Sequence, residues 1–188
     1  MVHSTWKGLG RGSRGKHKHD ISLPRVPHRY AKTKKQKVFG MVTSTGKSLV
    51  FLVEKPYDKY KWAADLKKKV VPFLKKCFPN LSEYRILLDR EKLFTAAPAK
   101  KAMAENNVSL LPFWPGYSPD LNPQENVWAW AEKELRRLET GKDKFPVFQQ
   151  NCLKAVKAYP GAKKLVGSMA KRCQKVLLSK GGSADKDG

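Results

Sequence analysis

The chain has 188 residues, enough for one domain with tails, and 40% hydrophobic against 29% charged residues is a globular composition. Thirty-nine Lys and Arg against sixteen Asp and Glu give a net charge of +23 and a pI near 10.1. A field of that sign draws polyanions, nucleic acid first among them, with an anionic membrane surface or a solubilising charge shell as alternatives. Cys77, Cys152 and Cys173 form no Cys-x-x-Cys pair, which argues against a zinc site or a disulfide framework. No run approaches the roughly 18 apolar residues of a membrane span, and no apolar segment backs the basic N-terminus as in a secretory signal. The expectation is an intracellular soluble protein with no membrane and no small-molecule substrate.

Residues 1–37 hold eleven Lys or Arg and one acid, Asp20. Such a stretch buries too little apolar surface to offset its ordering entropy, and it is predicted to be a largely disordered basic arm. Within it, Lys32, Lys34, Lys35 and Lys37 of "KTKKQK" read as a nuclear address or a phosphate-contacting arm, or equally as a solvated charge run. Two strands are predicted next, Val38–Thr43 and Ser48–Glu54, joined by a turn at Gly46. "TGKS" inside that turn is not a phosphate-binding P-loop: Met41 stands where the first glycine is required, and a β-rich run follows where a helix should.

"YDKYKWAADLKKKVVPFLKKCF" has a helical period, with Tyr60, Ala63, Ala64, Leu66, Val70 and Leu74 marking an apolar side, and Pro72 is expected to kink it or start a new turn. "YRILLD" is a short buried-strand run ending on Asp89. "AAPAKKAMAENN" reads as a helix closed by Asn106 and Asn107, and "VSLLPF" as the next strand. Strand, helix and strand make a βαβ unit with two parallel neighbours. An amphipathic helix from Asn122 to Glu139 follows, then two more helices and a polar tail. The expected fold is a mixed α/β sheet with helices on its faces.

Asp89, Asp120 and Glu125 each have an ordinary explanation. Asp89 suits a turn, Asp120 an Asx-turn, and Asn122-Pro123-Gln124-Glu125 a capping box with the cap, the N1 proline and the N3 glutamate in place. As a pair, Asp89 and Glu125 read differently. One ends a strand, and the other opens a helix just past the end of the neighbouring parallel strand, so both face one sheet edge. Convergent carboxylates there suit Mg²⁺ or Mn²⁺, which hold attacking and leaving oxygens about 3.5–4 Å from ion to ion in phosphoryl transfer. Basic groups would hold the phosphates.

"LPFWPGYSPDLNPQENVW" resembles the signature of the mariner-type (Tc/mariner superfamily) DDE transposases, with Tyr117, Ser118, Pro119, Asp120, Leu121, Asn122, Pro123, Glu125, Asn126 and Trp128 in register. The resemblance covers about residues 38–182 and implies a ribonuclease-H-like mixed sheet with flanking helices. It implies that Glu125 is the third catalytic acid and Asp89, with 35 residues between, the second, both holding Mg²⁺ or Mn²⁺. It also implies DNA as partner, a homodimer and a nuclear location. Two departures weigh against activity. Asp89-Arg90-Glu91-Lys92 replaces the family's polar residues after the second acid, so Arg90 and Lys92 would compete with cations, although they would favour nucleic acid; Glu91 is a weak substitute ligand. The first aspartate is not found either: Asp20 stands too close to the second strand, so the domain is expected to be N-terminally incomplete, lacking its first strand, and inactive. A misassigned start with an intact enzyme, or an unrelated basic RNA-binding protein, are the alternatives. The expected organisation is an arm (1–37), a DDE domain (38–140), a helical extension (141–182) and a tail (183–188).

Overall fold

The computed structural model describes residues 2–10, 35–88, 91–112, 121–138 and 144–179. The β-rich run after the basic arm forms a hairpin, β2 (Lys35–Thr43) and β3 (Ser48–Val53), paired antiparallel with Phe39 opposite Phe51. Gly46 closes it at φ +81°, a left-handed conformation that a side chain disfavours, and its N–H donates to Thr43 O at 2.9 Å. β4 (Tyr84–Leu88) and β5 (Val108–Leu110) pair in parallel, as the βαβ reading requires.

The position between β2 and β4 is filled, which corrects the sequence reading. Val2–Gly10 is a strand, β1, antiparallel to β2 along its whole length and parallel to β4 from Val2 opposite Ile86 to Ser4 opposite Leu88. The sheet order is β3-β2-β1-β4-β5, with no gap where a first strand belongs. Residues 2–10 are therefore not part of a disordered arm; residues 11–34 lie outside the described residues. The glycines and lysine of "VHSTWKGLG" carry little strand propensity of their own. The segment pairs with β2 along its whole length and with β4 at Val2–Ser4, and that non-local gain in backbone hydrogen bonds outweighs propensity.

Helices cover both faces, and the strand period decides which residues meet them. Phe39 and Met41 of β2 join Ile86 and Leu88 of β4 in one core, beneath α1 (Lys59–Asp65), α2 (Val71–Cys77), α3 (Lys92–Thr95) and α4 (Ala97–Ala104). Val38 and Val42, the alternate residues, join Val50 in a second core beneath α5 (Pro123–Arg137), α6 (Phe145–Lys157) and α7 (Ala162–Gly167). The C-terminal helices thus cover the sheet itself. The last, α8 (Met169–Leu178), is set off from α7 at Ser168, whose hydroxyl donates to Leu165 O at 2.7 Å.

The lysine-rich helix buries Leu66, Val70 and Leu74 as its spacing suggested, but its first turn faces inward through Trp62 rather than Tyr60 and Ala64. Trp62, Leu66, Val70, Val71 and Leu74 are buried, whereas Tyr60 is 64% exposed and Ala64 is also exposed. Trp62 sits between Phe39 and Phe94, at centroid distances of 5.2 and 4.8 Å. An indole of that size removes on the order of 200 Å² from water, worth roughly 5 kcal/mol before entropy is counted, so it decides the rotation of the helix. Asp58 caps α1 by accepting from Tyr60 N and Lys61 N, and Tyr57 Oη donates to Asp65 Oδ2 at 2.9 Å. Pro72 acts as expected: a π-helical turn over Leu66–Val70 precedes α2, with Val71 N–H reaching back to Leu66 O. Proline offers no N–H and its ring crowds the carbonyl four residues earlier, which the wider turn relieves.

Candidate active site

The candidate site residues belong to the end of β4 and the start of α5. β4 is described to Leu88, paired through Ile86 with Leu110 of β5 and through Leu88 with Ser4 of β1. Asp89 follows Leu88 directly in the chain; Asp89 and Arg90 lie outside the described residues, as do Lys32, Lys34 and the signature stretch 113–120. Glu91, the next described residue, is exposed and precedes α3, with Lys92 exposed beside it.

Glu125 enters through the start of α5. Asn122 is the N-cap and Pro123 opens the helix, as predicted; the Asn122 Oδ1 accepts from Gln124 N at 3.0 Å, so the cap bond goes to the second helical residue rather than the third. Glu125, half-buried in the first turn, sits where the helix dipole favours a negative charge. Gln124, Trp128, Ala131 and Leu135 form the stripe that holds this helix on the sheet. Its closest approach is at Gly40, which pairs with Thr5 of β1 and Val50 of β3. A Cβ on Gly40 would lie 2.5 Å from Trp128 Cη2 and 2.6 Å from Gln124 Nε2, so the indole and the amide rest directly on the backbone of β2. Thr5 is one step beyond Ser4, the partner of Leu88, so the contact of α5 with β2 lies two strands across the sheet from the carboxyl end of β4.

Three residues here were not singled out from sequence. Gly40 has a readable signal, a glycine inside a strand, which marks a close backbone approach. Gln124 shares the face of Trp128 by its four-residue spacing and is fully buried, with neither side-chain amide atom hydrogen-bonded among the described residues. Arg172 of α8 has no local signal: its Nη1 donates to Asn126 Oδ1 at 3.3 Å, beside Glu125. Leu121 packs with Met169, Cys173 and Val176 of α8 and seats that contact.

Of the predicted phosphate-binding residues, Lys35 opens β2 and Lys37 is half-buried within it. Desolvation pulls the Lys37 ammonium below its usual range, Glu91 opposes that shift and Lys55 adds to it.

A pair of divalent ions needs several hard oxygen donors, one of them bridging. β1 occupies the central position of the sheet, yet Val2–Gly10 contains no Asp or Glu. Among the described residues, no three His, Cys, Asp or Glu side chains converge as a metal-binding group. Asp89 and Glu125 suit magnesium or manganese by donor type, but the pair is short of a two-ion set.

The family model described as "DDE superfamily endonuclease" matches residues 7–145. The chain belongs to this family. Its relatives include the Tcb2 transposase of Caenorhabditis briggsae, 33% identical over 97 residues, which cover 50% of this chain and 34% of the relative. The Tc1 transposase of Caenorhabditis elegans is 28% identical over 149 residues, 77% of this chain and 52% of the relative. The chain thus spans about half the length, or less, of these relatives. In three dimensions this DDE domain is similar to the Mos1 transposase catalytic domain solved with raltegravir and manganese, with a TM-score of 0.70 at 16% identity, covering 96% of this chain and 82% of that one. The mariner Mos1 paired-end complex with magnesium superposes at a TM-score of 0.64 and 16% identity, covering 97% and 55%. The fold is the ribonuclease-H-like one of the mariner-type DDE domains.

Proposed function

We propose that this chain is a nucleic-acid-binding DDE transposase-type domain that holds DNA by its phosphates and does not cleave it. The observation that carries this reading is β1: the strand at the centre of the sheet is present and contains no carboxylate, beside a chain of net charge +23. Asp89 and Glu125 then hold a single Mg²⁺ or Mn²⁺ weakly, and Lys37, Lys92 and Arg90 favour phosphate. The metal, when bound, would offset repulsion between phosphate and carboxylate; the chain's own residues supply orientation, through the Asn122 cap and the Gly40 contact that seat Glu125. A homodimer and a nuclear location accompany this reading by descent, and light scattering and imaging of a tagged chain test them.

The deciding experiment has two arms. Duplex binding, followed by fluorescence anisotropy, should fall steeply with salt and survive Asp89→Asn and Glu125→Gln. Supercoiled plasmid incubated with Mg²⁺ or Mn²⁺ should stay intact. Nicking that Glu125→Gln abolishes would refute the non-cleaving reading, and no duplex affinity at low salt would refute the binding itself.

A further inference from the structure

From Phe145 to Ser179 the chain carries seven Lys or Arg and no Asp or Glu. Such a run along three packed helices is unlike the other basic face, where α1 and the π-turn hold lysines against acids: Lys67 with Glu105, and Lys69 with Asp65 at 2.8 Å. Among the described residues, no ion pair involves Lys163, Lys164 or Lys171, and all three are exposed. The fold also aligns them. Lys163 lies against the hairpin tip, its Cβ 2.9 Å from where a Gly46 Cβ would stand. α8 then passes beside the start of α5, where Asn126 holds Arg172. Lys171 and Lys175 are one turn apart on α8, and Arg172 lies three residues from Lys175. The family match stops at residue 145, so these cations lie beyond the matched stretch.

We propose that α7 and α8 form a contact surface for the phosphates of duplex DNA, running from the β2–β3 hairpin tip to the helix that carries Glu125. This rests on the nucleic-acid reading above and names the surface that performs it. A ten-residue helix is about 15 Å long, and each strand of B-DNA carries a phosphate about every 3.4 Å of axis, so a line of cations at helical spacing meets several phosphates without reading bases. Arginine at the end nearest Glu125 adds a planar fork of donors suited to phosphate.

The test compares the full chain with two triple variants that remove equal charge, Lys164→Gln/Lys171→Gln/Arg172→Gln on this surface and Lys68→Gln/Lys75→Gln/Lys76→Gln on the exposed face of the π-turn and α2. Affinity for a short fluorescein-labelled duplex of arbitrary sequence is measured from low to moderate salt, with circular dichroism confirming that each variant folds. The α7–α8 variant should flatten the slope of log affinity against log salt by about 2–3, near 0.9 per lost phosphate contact, and the control variant by less than about 1. Equal flattening by both variants would show a diffuse effect of net charge and overturn the proposal, as would an unchanged slope in the α7–α8 variant; in both cases the duplex binding of the parent chain stands. A parent chain that binds phosphatidylserine vesicles but no duplex would overturn the proposal and the nucleic-acid reading together.

Discussion

Gly40→Ala tests the contact that seats the candidate site. The added Cβ would stand 2.5 Å from Trp128 Cη2, 2.9 Å from its Cζ2 and 2.6 Å from Gln124 Nε2. The backbone at Gly40 is ordinary strand, paired on both sides, so strain there is steric rather than conformational. Overpacking of this kind costs about 1–3 kcal/mol, and alanine returns about 0.4–1 kcal/mol by restricting the unfolded chain. The net expectation is a loss of about 1–2 kcal/mol, read as a urea midpoint lowered by about 0.5–1 M at a slope near 2 kcal/mol per M. Because Trp128 is the main obstacle, Gly40→Ala combined with Trp128→Leu should cost less than the sum of the two single changes, with a coupling of about 0.5–3 kcal/mol. A Gly40→Ala protein as stable as the parent, or strictly additive behaviour in the double variant, would show that α5 does not rest on β2 as described.

Gln124→Met should be neutral or stabilise by about 1 kcal/mol, because a buried amide with no hydrogen-bond partner among the described residues loses its hydration for nothing in return; a clear loss in thermal or urea unfolding would show that the amide is satisfied. Tyr57 is pushed well above the usual phenol value of about 10 by burial and by Asp65, which accepts its hydroxyl proton. The folded state thus holds that proton more tightly than the unfolded chain, so the contribution is complete below about pH 10 and lost as pH rises past it. Tyr57→Phe should remove that alkaline dependence, and a parent whose stability stays flat from pH 9 to pH 11 contradicts the assignment. Burial pushes the Cys152 thiol up to about 12, so alkylation of Cys152 in the native protein at pH 8 should track global unfolding, and rapid labelling would mean that α6 opens locally.

What the sequence determined by itself was local. Two short apolar, β-rich runs defined the β2–β3 hairpin, Gly46 its turn, Asn122 and Pro123 the start of α5, and Pro72 the break between α1 and α2. Each depends on neighbours a few residues away and is therefore written in a short window. The family signature with its spacing to Asp89 also belongs to sequence, since it is itself a pattern of residues. Tertiary structure decided what depends on distant partners. Val2–Gly10 is a strand because β2 offers hydrogen bonds along its whole length and β4 along Val2–Ser4, although its glycines argue otherwise. Trp62 rather than Tyr60 faces inward because Phe39 and Phe94 stand there to receive it. Arg172 reaches Asn126 because Leu121 and Met169 pack α8 against the start of α5, a contact between residues 46 positions apart. Periodicity reports which face of an element is apolar, while register and packing between elements decide what that face meets.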